Sequence, residues 1–273
     1  MLKTRVITAL VLLAVLLVVL FAGSFPLFVV ATAVFFGAAA WECFRLFRHA
    51  RPVAGGVFWA LAFALIALAT DVSRLGILFL LCVAIWVFRL GPSLAIGLPR
   101  PDSFANRILS RVYAVAILGC FVAIAALFRQ SPVYLLSVMA IVWVADIGAY
   151  FSGKAFGRHK IAPAISPGKS WEGAIGGWLA VLVIAAASTF SPLLTDTFPS
   201  RLLSRWGWGG LMAVMTILVV CSIAGDLFES QLKRRAGMKD SSNLLPGHGG
   251  VLDRIDALIP VLPLAALISL WLT

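Results

Sequence analysis

The chain predicts an all-α polytopic membrane protein of about nine transmembrane helices with a cytoplasmic N-terminus. Three observations carry that prediction. Hydrophobic residues make up 62% of the 273 positions and charged residues only 12%, with a mean hydropathy of +1.05, too apolar for one soluble core. The charges gather in clusters, and the runs between them approach the ~20 residues that a transmembrane helix needs. The cations also fall on alternate loops, as the positive-inside rule requires.

Read from cluster to cluster, the spans run approximately 6–22, 27–44, 57–70, 75–90, 112–128, 133–150, 173–191, 208–228 and 251–272. The third and fourth are short, so either they extend into their flanks or they pack deep against neighbours. Residues 1–22 have the basic start and apolar run of a signal peptide, but no Ala-x-Ala site follows, which favours a retained first helix. If Lys3 and Arg5 are cytoplasmic, 18 of the 22 Lys and Arg lie on that side, leaving only Arg74, Arg129, Arg201 and Arg205 outside. The net charge of +11 then faces anionic lipid headgroups or nucleotides. Nucleic acid is a poor partner, because no soluble domain offers a groove. The cysteines, Cys43, Cys82, Cys120 and Cys221, sit in apolar spans without metal-ligand spacing and read as packing residues.

The halves differ. Residues 1–130 read as scaffold and lipid contact, with Glu42 the only acid inside a span, and residues 131–273 as the catalytic region. There Asp146, Glu172, Asp226, Glu229, Asp240, Asp253 and Asp256 supply seven of the eleven acids, most at expected cytoplasmic helix ends. No repeat of 20–50 residues is visible.

Three segments carry candidate chemistry. In the first, Asp146 and Tyr150 share a helix face one turn apart. The following loop mixes glycines with Lys154, Arg158, His159 and Lys160, then Ser166, Lys169 and Ser170 before a helix start at Gly173. Such a loop suits phosphate oxygens, and a helix N-terminus adds anion-binding donors. The bland reading is a basic turn; it is weakest for Lys169. Gly173 and Gly177 form a GxxxG pair, a sign of close helix packing only. In the second segment, Asp226, Glu229, Ser230 and Lys233 form one helical stripe, against which stands an ordinary exposed ion pair at a helix end. The third, LLPGHGGVLDRID at 244–256, stops a helix at Pro246 and frees the backbone at Gly247, Gly249 and Gly250. It then sets Asp253 and Asp256 on one face of a new helix, with Arg254 between them. Two carboxylates entering lipid fit a hard cation such as Mg²⁺ bridging to a phosphate better than a helix-dipole contact. His248 reads equally as turn residue, phosphate donor or proton carrier.

From Ser230 to Asp256, Ser-x-Leu-Lys-Arg-x4-Lys239-Asp240-x-Ser-x2-Leu-Pro-Gly-His-Gly-Gly-Val-x-Asp-Arg-Ile-Asp resembles the signature of phosphatidate cytidylyltransferases, also called CDP-diacylglycerol synthases, over 27 residues. Asp146-x-x-Ala-Tyr, Gly-Lys-x-Phe-Gly-Arg-His-Lys and Ser-Pro-Gly-Lys-Ser-x-Glu-Gly are similar to a second region of that family. Lys154 and Ala164 depart from it where other cations are common, which leaves a paralogue with altered lipid preference open. The resemblance covers the C-terminal half specifically and the rest only as hydrophobic pattern. It implies that phosphatidate and CTP give CDP-diacylglycerol and pyrophosphate, at a bacterial cytoplasmic membrane with the site facing the cytoplasm. It also implies a homodimer, which nothing in the residues requires.

For that reaction Asp226, Asp253 and Asp256, with Asp146 less central, would hold Mg²⁺, with room for a second cation. Lys169, Lys233, Arg234 and Lys239 would clamp phosphates, His248 could move a proton, and Ser166, Ser170, Ser230, Tyr150, Arg254 and the Gly247, Gly249 and Gly250 turn would contact substrate. Two other classes stay open. A CTP-dependent polyprenol or phytol kinase would need a base, for which His248 is the candidate. An anion transporter would show mid-membrane polar residues in several spans, which are not evident. The paired Asp-Gly and Gly-x3-Asp-x3-Asp pattern of CDP-alcohol phosphotransferases is absent.

Overall fold

Four helices begin where a serine accepts a free backbone amide. Ser24 accepts from Leu27, Ser103 from Asn106, Ser131 from Tyr134 and Ser170 from Gly173, each satisfying one of the amides that a first turn leaves open. The structure, a computed structural model, describes residues 2–272, with the side chains of 2–6, 9 and 12 outside the description. The side chains of Lys3 and Arg5 of the expected cytoplasmic set thus lie outside the description.

The helices are α1 (Leu2–Phe21), α2 (Phe25–Leu46), α3 (Pro52–Ala69), α4 (Gly76–Ile85), α5 (Gly91–Ile96), α6 (Phe104–Gln130), α7 (Pro132–Phe156), α8 (Trp171–Ser188), α9 (Phe198–Ala236), α10 (Leu252–Ile255) and α11 (Leu258–Ser269). Among the described residues, seven stretches are long and apolar enough to cross a membrane: α2, α3, Val72–Ile96, α6, α7, α8 and α9. The chain is therefore a mostly helical, polytopic membrane protein. The two short expected spans do extend into their flanks, the fourth by joining α4 to α5 through a π-helical turn at Trp86–Leu90. α6 is the most enclosed of the seven and packs against α2, α3, α4, α7 and α11.

The sequence expectation fails in three places. The segment after residue 251 is not one helix of full span length; it breaks into α10, four residues, and α11, twelve. Pro260 has no amide to give the Asp256 carbonyl one turn back, and Pro263 repeats the defect at Ile259. That carbonyl packs instead on α9, where a Cβ on Gly225 would meet it at 2.4 Å. The second difference is α9, whose 39 residues comprise two helical stretches, 198–206 and 208–236, where one span of 208–228 was expected. It turns at Gly207 (φ 66°) and runs past the apolar region to Lys233, Arg234 and Arg235 before the left-handed cap at Gly237. The third is the basic loop before α8, which holds an antiparallel hairpin of β1 (Lys160–Ala162) and β2 (Ser166–Ser170).

Because lipid tails are as apolar as the side chains, helices in a bilayer associate through close packing. α7 and α8 are held so. A Cβ on Gly177 would lie 2.4 Å from the Ala145 carbonyl, and one on Gly148 would lie 3.0 Å from the Gly177 Cα. Gly173 also faces α7, so both glycines of the GxxxG pair serve this crossing. At one end of the bundle the loops expected in the cytoplasm meet. Arg234 donates to the Ile165 carbonyl, Arg235 to the Pro99 carbonyl and Asn106, and His49 pairs with Ser110.

Gly177→Val should therefore wedge α8 from α7 and cost about 1–3 kcal/mol, lowering the thermal unfolding midpoint in detergent. Gly209→Ala, where a Cβ meets nothing within 4 Å, should leave it unchanged. Equal midpoints for the two variants would refute the packing assignment.

Candidate active site

The stretch 244–256 forms a tight turn. Leu245 N–H donates to Gly249 O at 2.9 Å and His248 N–H to Leu245 O at 2.8 Å. Gly247 and Gly249 have φ of 77° and 83°, a region that side chains disfavour. The turn is closed upon a carboxylate: a Cβ on Gly249 would lie 2.7 Å from Asp253 Oδ2. That oxygen accepts from the Gly250 amide at 2.7 Å, the Ser241 amide at 2.8 Å and the Ser241 hydroxyl at 3.0 Å. The Gly250 amide, expected to be free for substrate, is thus engaged in holding Asp253.

Asp253 Oδ1 in turn accepts from Lys233 Nζ at 2.6 Å, and the same ammonium lies 2.5 Å from Glu229 Oε2. Lys233 and Glu229 are one helical turn apart on α9 and Asp253 is on α10, so one lysine joins the two elements. Little water reaches the trio, with side-chain exposures of 12%, 0% and 5%. A second chain runs alongside. β2 presents Lys169 to Asp226 Oδ2 at 2.5 Å, and Ser230 donates to Asp226 Oδ1 at 3.2 Å. Asp256 stands close enough to Asp226 to feel its charge and lies next to Glu229, while its Oδ1 accepts from the Ala257 amide at 2.8 Å. Asp146 faces Asp226 and Lys169 across a cavity of about 260 Å³ between α7, α8, α9 and the hairpin, lined also by Tyr150, Ser170, Gly173 and Ser222.

Of the residues expected from sequence, the four aspartates, Lys169, Lys233, Ser170, Ser230 and Tyr150 come together here. Others stand apart or are engaged elsewhere. Arg254 donates to the His248 carbonyl through Nε at 3.1 Å and Nη2 at 2.6 Å. His248 turns Nδ1 inward without a hydrogen-bond partner. Arg234 and Lys239 are exposed, and Ser166 opens β2 opposite Ala162. Glu172 on the first turn of α8 receives the Arg158 and His159 amides and His159 Nδ1 at 2.6 Å, so it ties down the hairpin that carries Lys169.

Glu229 belongs to the stripe noted in the sequence, yet its burial beneath Lys233 has no sequence signal. Glu42 of α2 was outside the expected site altogether. It is buried and accepts from Ser241, Ser242, Val251 and Leu252; its only trace in the sequence is that it is the lone acid of the N-terminal spans. Among the described residues, no three His, Cys, Asp or Glu side chains converge as a cage for a metal ion. Carboxylate oxygens are nonetheless the donors Mg²⁺ prefers, and Mg²⁺ is ordinarily held by one or two of them together with water and substrate phosphates. The Asp226 and Asp256 pair fits that open arrangement.

A bundle of helices long and apolar enough to cross a membrane, with lysines and carboxylates interleaved at one end, is the architecture of an integral membrane protein with a charged site. The chain belongs to the cytidylyltransferase family, whose sequence profile matches residues 3–271. It is 38% identical to a phosphatidate cytidylyltransferase of Pseudomonas aeruginosa over 284 aligned residues, covering 99% of this chain and 97% of the other. A Haemophilus influenzae protein of the same name is 37% identical, with 96% of each chain covered. A Brucella suis phosphatidate cytidylyltransferase is 46% identical over 134 residues, 49% of this chain and 44% of the relative.

Removing Lys233 would leave Glu229 and Asp253 buried without their cation, a defect worth about 3–5 kcal/mol. Lys233→Met should accordingly lower stability as well as turnover. Lys169 and Asp226 are more exposed, at 23% and 31%, so Lys169→Met should cost under about 1 kcal/mol while still abolishing turnover. Thermal unfolding of both variants in detergent checks this, and equal losses would contradict the difference in burial.

Proposed function

We propose that the chain transfers the cytidylyl group of CTP to phosphatidate, releasing pyrophosphate and forming CDP-diacylglycerol for phospholipid biosynthesis. The observation that carries this reading is the near full-length similarity to two proteins named phosphatidate cytidylyltransferase. A phosphate oxygen of phosphatidate attacks the α-phosphorus of CTP, the new P–O bond forms, and the bond to the β-phosphate oxygen breaks. The second pKa of a phosphomonoester is about 6, so the nucleophile is largely dianionic at neutral pH and needs no general base. Repulsion between two polyanions is the barrier that the protein must lower.

The lysines supply that. Lys169 and Lys233, held on carboxylates before substrate arrives, can turn to phosphate oxygens. Arg234 and Lys239, exposed at the rim, would draw the triphosphate in. Ser166, Ser170 and Ser230 offer neutral donors, and Tyr150, Arg254 and the Gly247 and Gly249 turn border the path of the substrates. His248 is the group that could carry a proton. When bound, Mg²⁺ would neutralise triphosphate charge, held by Asp226 and Asp256, with Asp253 and Asp146 as further donors and a second cation optional. The acyl chains would stay between helices, which accounts for a site at helix ends.

The same reading places the site on the cytoplasmic side of a bacterial cytoplasmic membrane, where CTP is. It takes α1 and the α10–α11 segment as the eighth and ninth crossings, with the N-terminus inside and 18 of 22 cations on the inner face. Residues 131–273 then carry the reacting groups and 1–130 the scaffold, in a homodimer as the family resemblance suggests.

The test is incubation of the purified protein with α-phosphorus-labelled CTP, phosphatidate and Mg²⁺. Label should enter the lipid with equimolar pyrophosphate, and EDTA should stop it. Asp253→Asn and Asp256→Asn should each lose activity by orders of magnitude while still folding. A lipid that takes label from γ-labelled CTP instead would replace this reading with a lipid kinase.

A further inference from the structure

Glu42 lies near the C-terminal end of α2 with 0% exposure, an ionisable group with no part in the chemistry just described. Four donors from the far end of the chain meet its two oxygens. Oε1 accepts from the Ser242 hydroxyl and from the Val251 amide at 3.1 Å. Oε2 accepts from the Ser241 hydroxyl at 3.1 Å and the Leu252 amide at 2.6 Å. These residues bracket the glycine turn, and Leu252 adjoins Asp253. The fit has no slack, since a Cβ on Gly250 would lie 2.4 Å from Glu42 Oε1.

We infer that Glu42 is a positioning residue for cytidylyl transfer, a carboxylate on a membrane-spanning helix that fixes the depth and angle at which the 241–253 turn presents Asp253. The inference rests on the reaction proposed above. Each Glu42 oxygen faces a backbone N–H, which can only donate, beside a serine hydroxyl, so an amide nitrogen at either position would meet a donor while a carboxylate oxygen accepts it. The turn needs an external anchor because its left-handed glycines permit many other shapes. α2 provides one, through its packing against α3 and α6. Ser241 links the two carboxylates directly, its hydroxyl lying within reach of both Glu42 Oε2 and Asp253 Oδ2.

Glu42→Gln, made in the full chain and purified in detergent, tests this through kinetics and hydrogen exchange. A displacement near 1 Å at a reacting group costs about 100-fold, so kcat should fall by that order with the KM for CTP and for phosphatidate little changed. Deuterium uptake should rise in peptides covering 241–256 and nowhere else. Glu42→Asp, which keeps the acceptors with a shorter reach, should recover part of kcat. Wild-type kcat in Glu42→Gln, or uptake raised throughout the chain, would overturn the inference. If Glu42→Gln does not fold, Ser242→Ala removes one of the four donors and should give a smaller fall in kcat with the same confined uptake; unchanged kcat there also overturns it. A wild-type protein that moves no label into phosphatidate would instead defeat the proposed reaction, and the exchange data would still judge the clamp.

Discussion

The site depends on the Lys233 ammonium held between Glu229 and Asp253. Three charges stand where little water reaches them, and each is tolerable only because the others are there. The lysine and Glu229 belong to α9, and Asp253 to the short α10 that follows the glycine turn. One cation therefore joins a long helix to a four-residue one. The Gly249 and Gly250 contacts and the Ser241 amide all serve to hold Asp253 against that ammonium.

This arrangement also explains why the polar groups cluster at one end of the bundle. In hydrocarbon every backbone polar group must be satisfied within the protein, so irregular chain is confined to helix ends and protein-lined cavities. The glycine turn, the hairpin carrying Lys169 and the short α10 are all segments too short to cross a membrane, and all three gather there. Lys169 with Asp226 and Lys233 with Asp253 then form alternating charges at that end. In the reaction proposed above, the incoming polyanion would meet cations already in place.

The N-terminal half has a more direct part than support. α2 delivers Glu42 to the same turn, and Arg235 of α9 reaches back to the loop before α6. Polar contacts between distant parts of the chain, together with the glycine-lined crossings, hold together helices that lipid would not otherwise drive into contact.

Composition and hydropathy by themselves determined that this is a polytopic helical membrane protein, because lipid imposes length and charge rules that act on each segment alone. The stripe of Asp226, Glu229, Ser230 and Lys233 was legible for the same reason, helical spacing being a local property. Only the tertiary structure decided that Gly250 serves Asp253, that Arg254 turns to a carbonyl, and that Glu42, two hundred residues away, closes the turn. Those pairings depend on which helix ends meet, and no periodicity in a single segment encodes that. The broken ninth span shows both sides at once: Pro260 and Pro263 stand in the sequence, but the interruption becomes a site feature only because Gly225 of α9 receives the carbonyl that Pro260 leaves free.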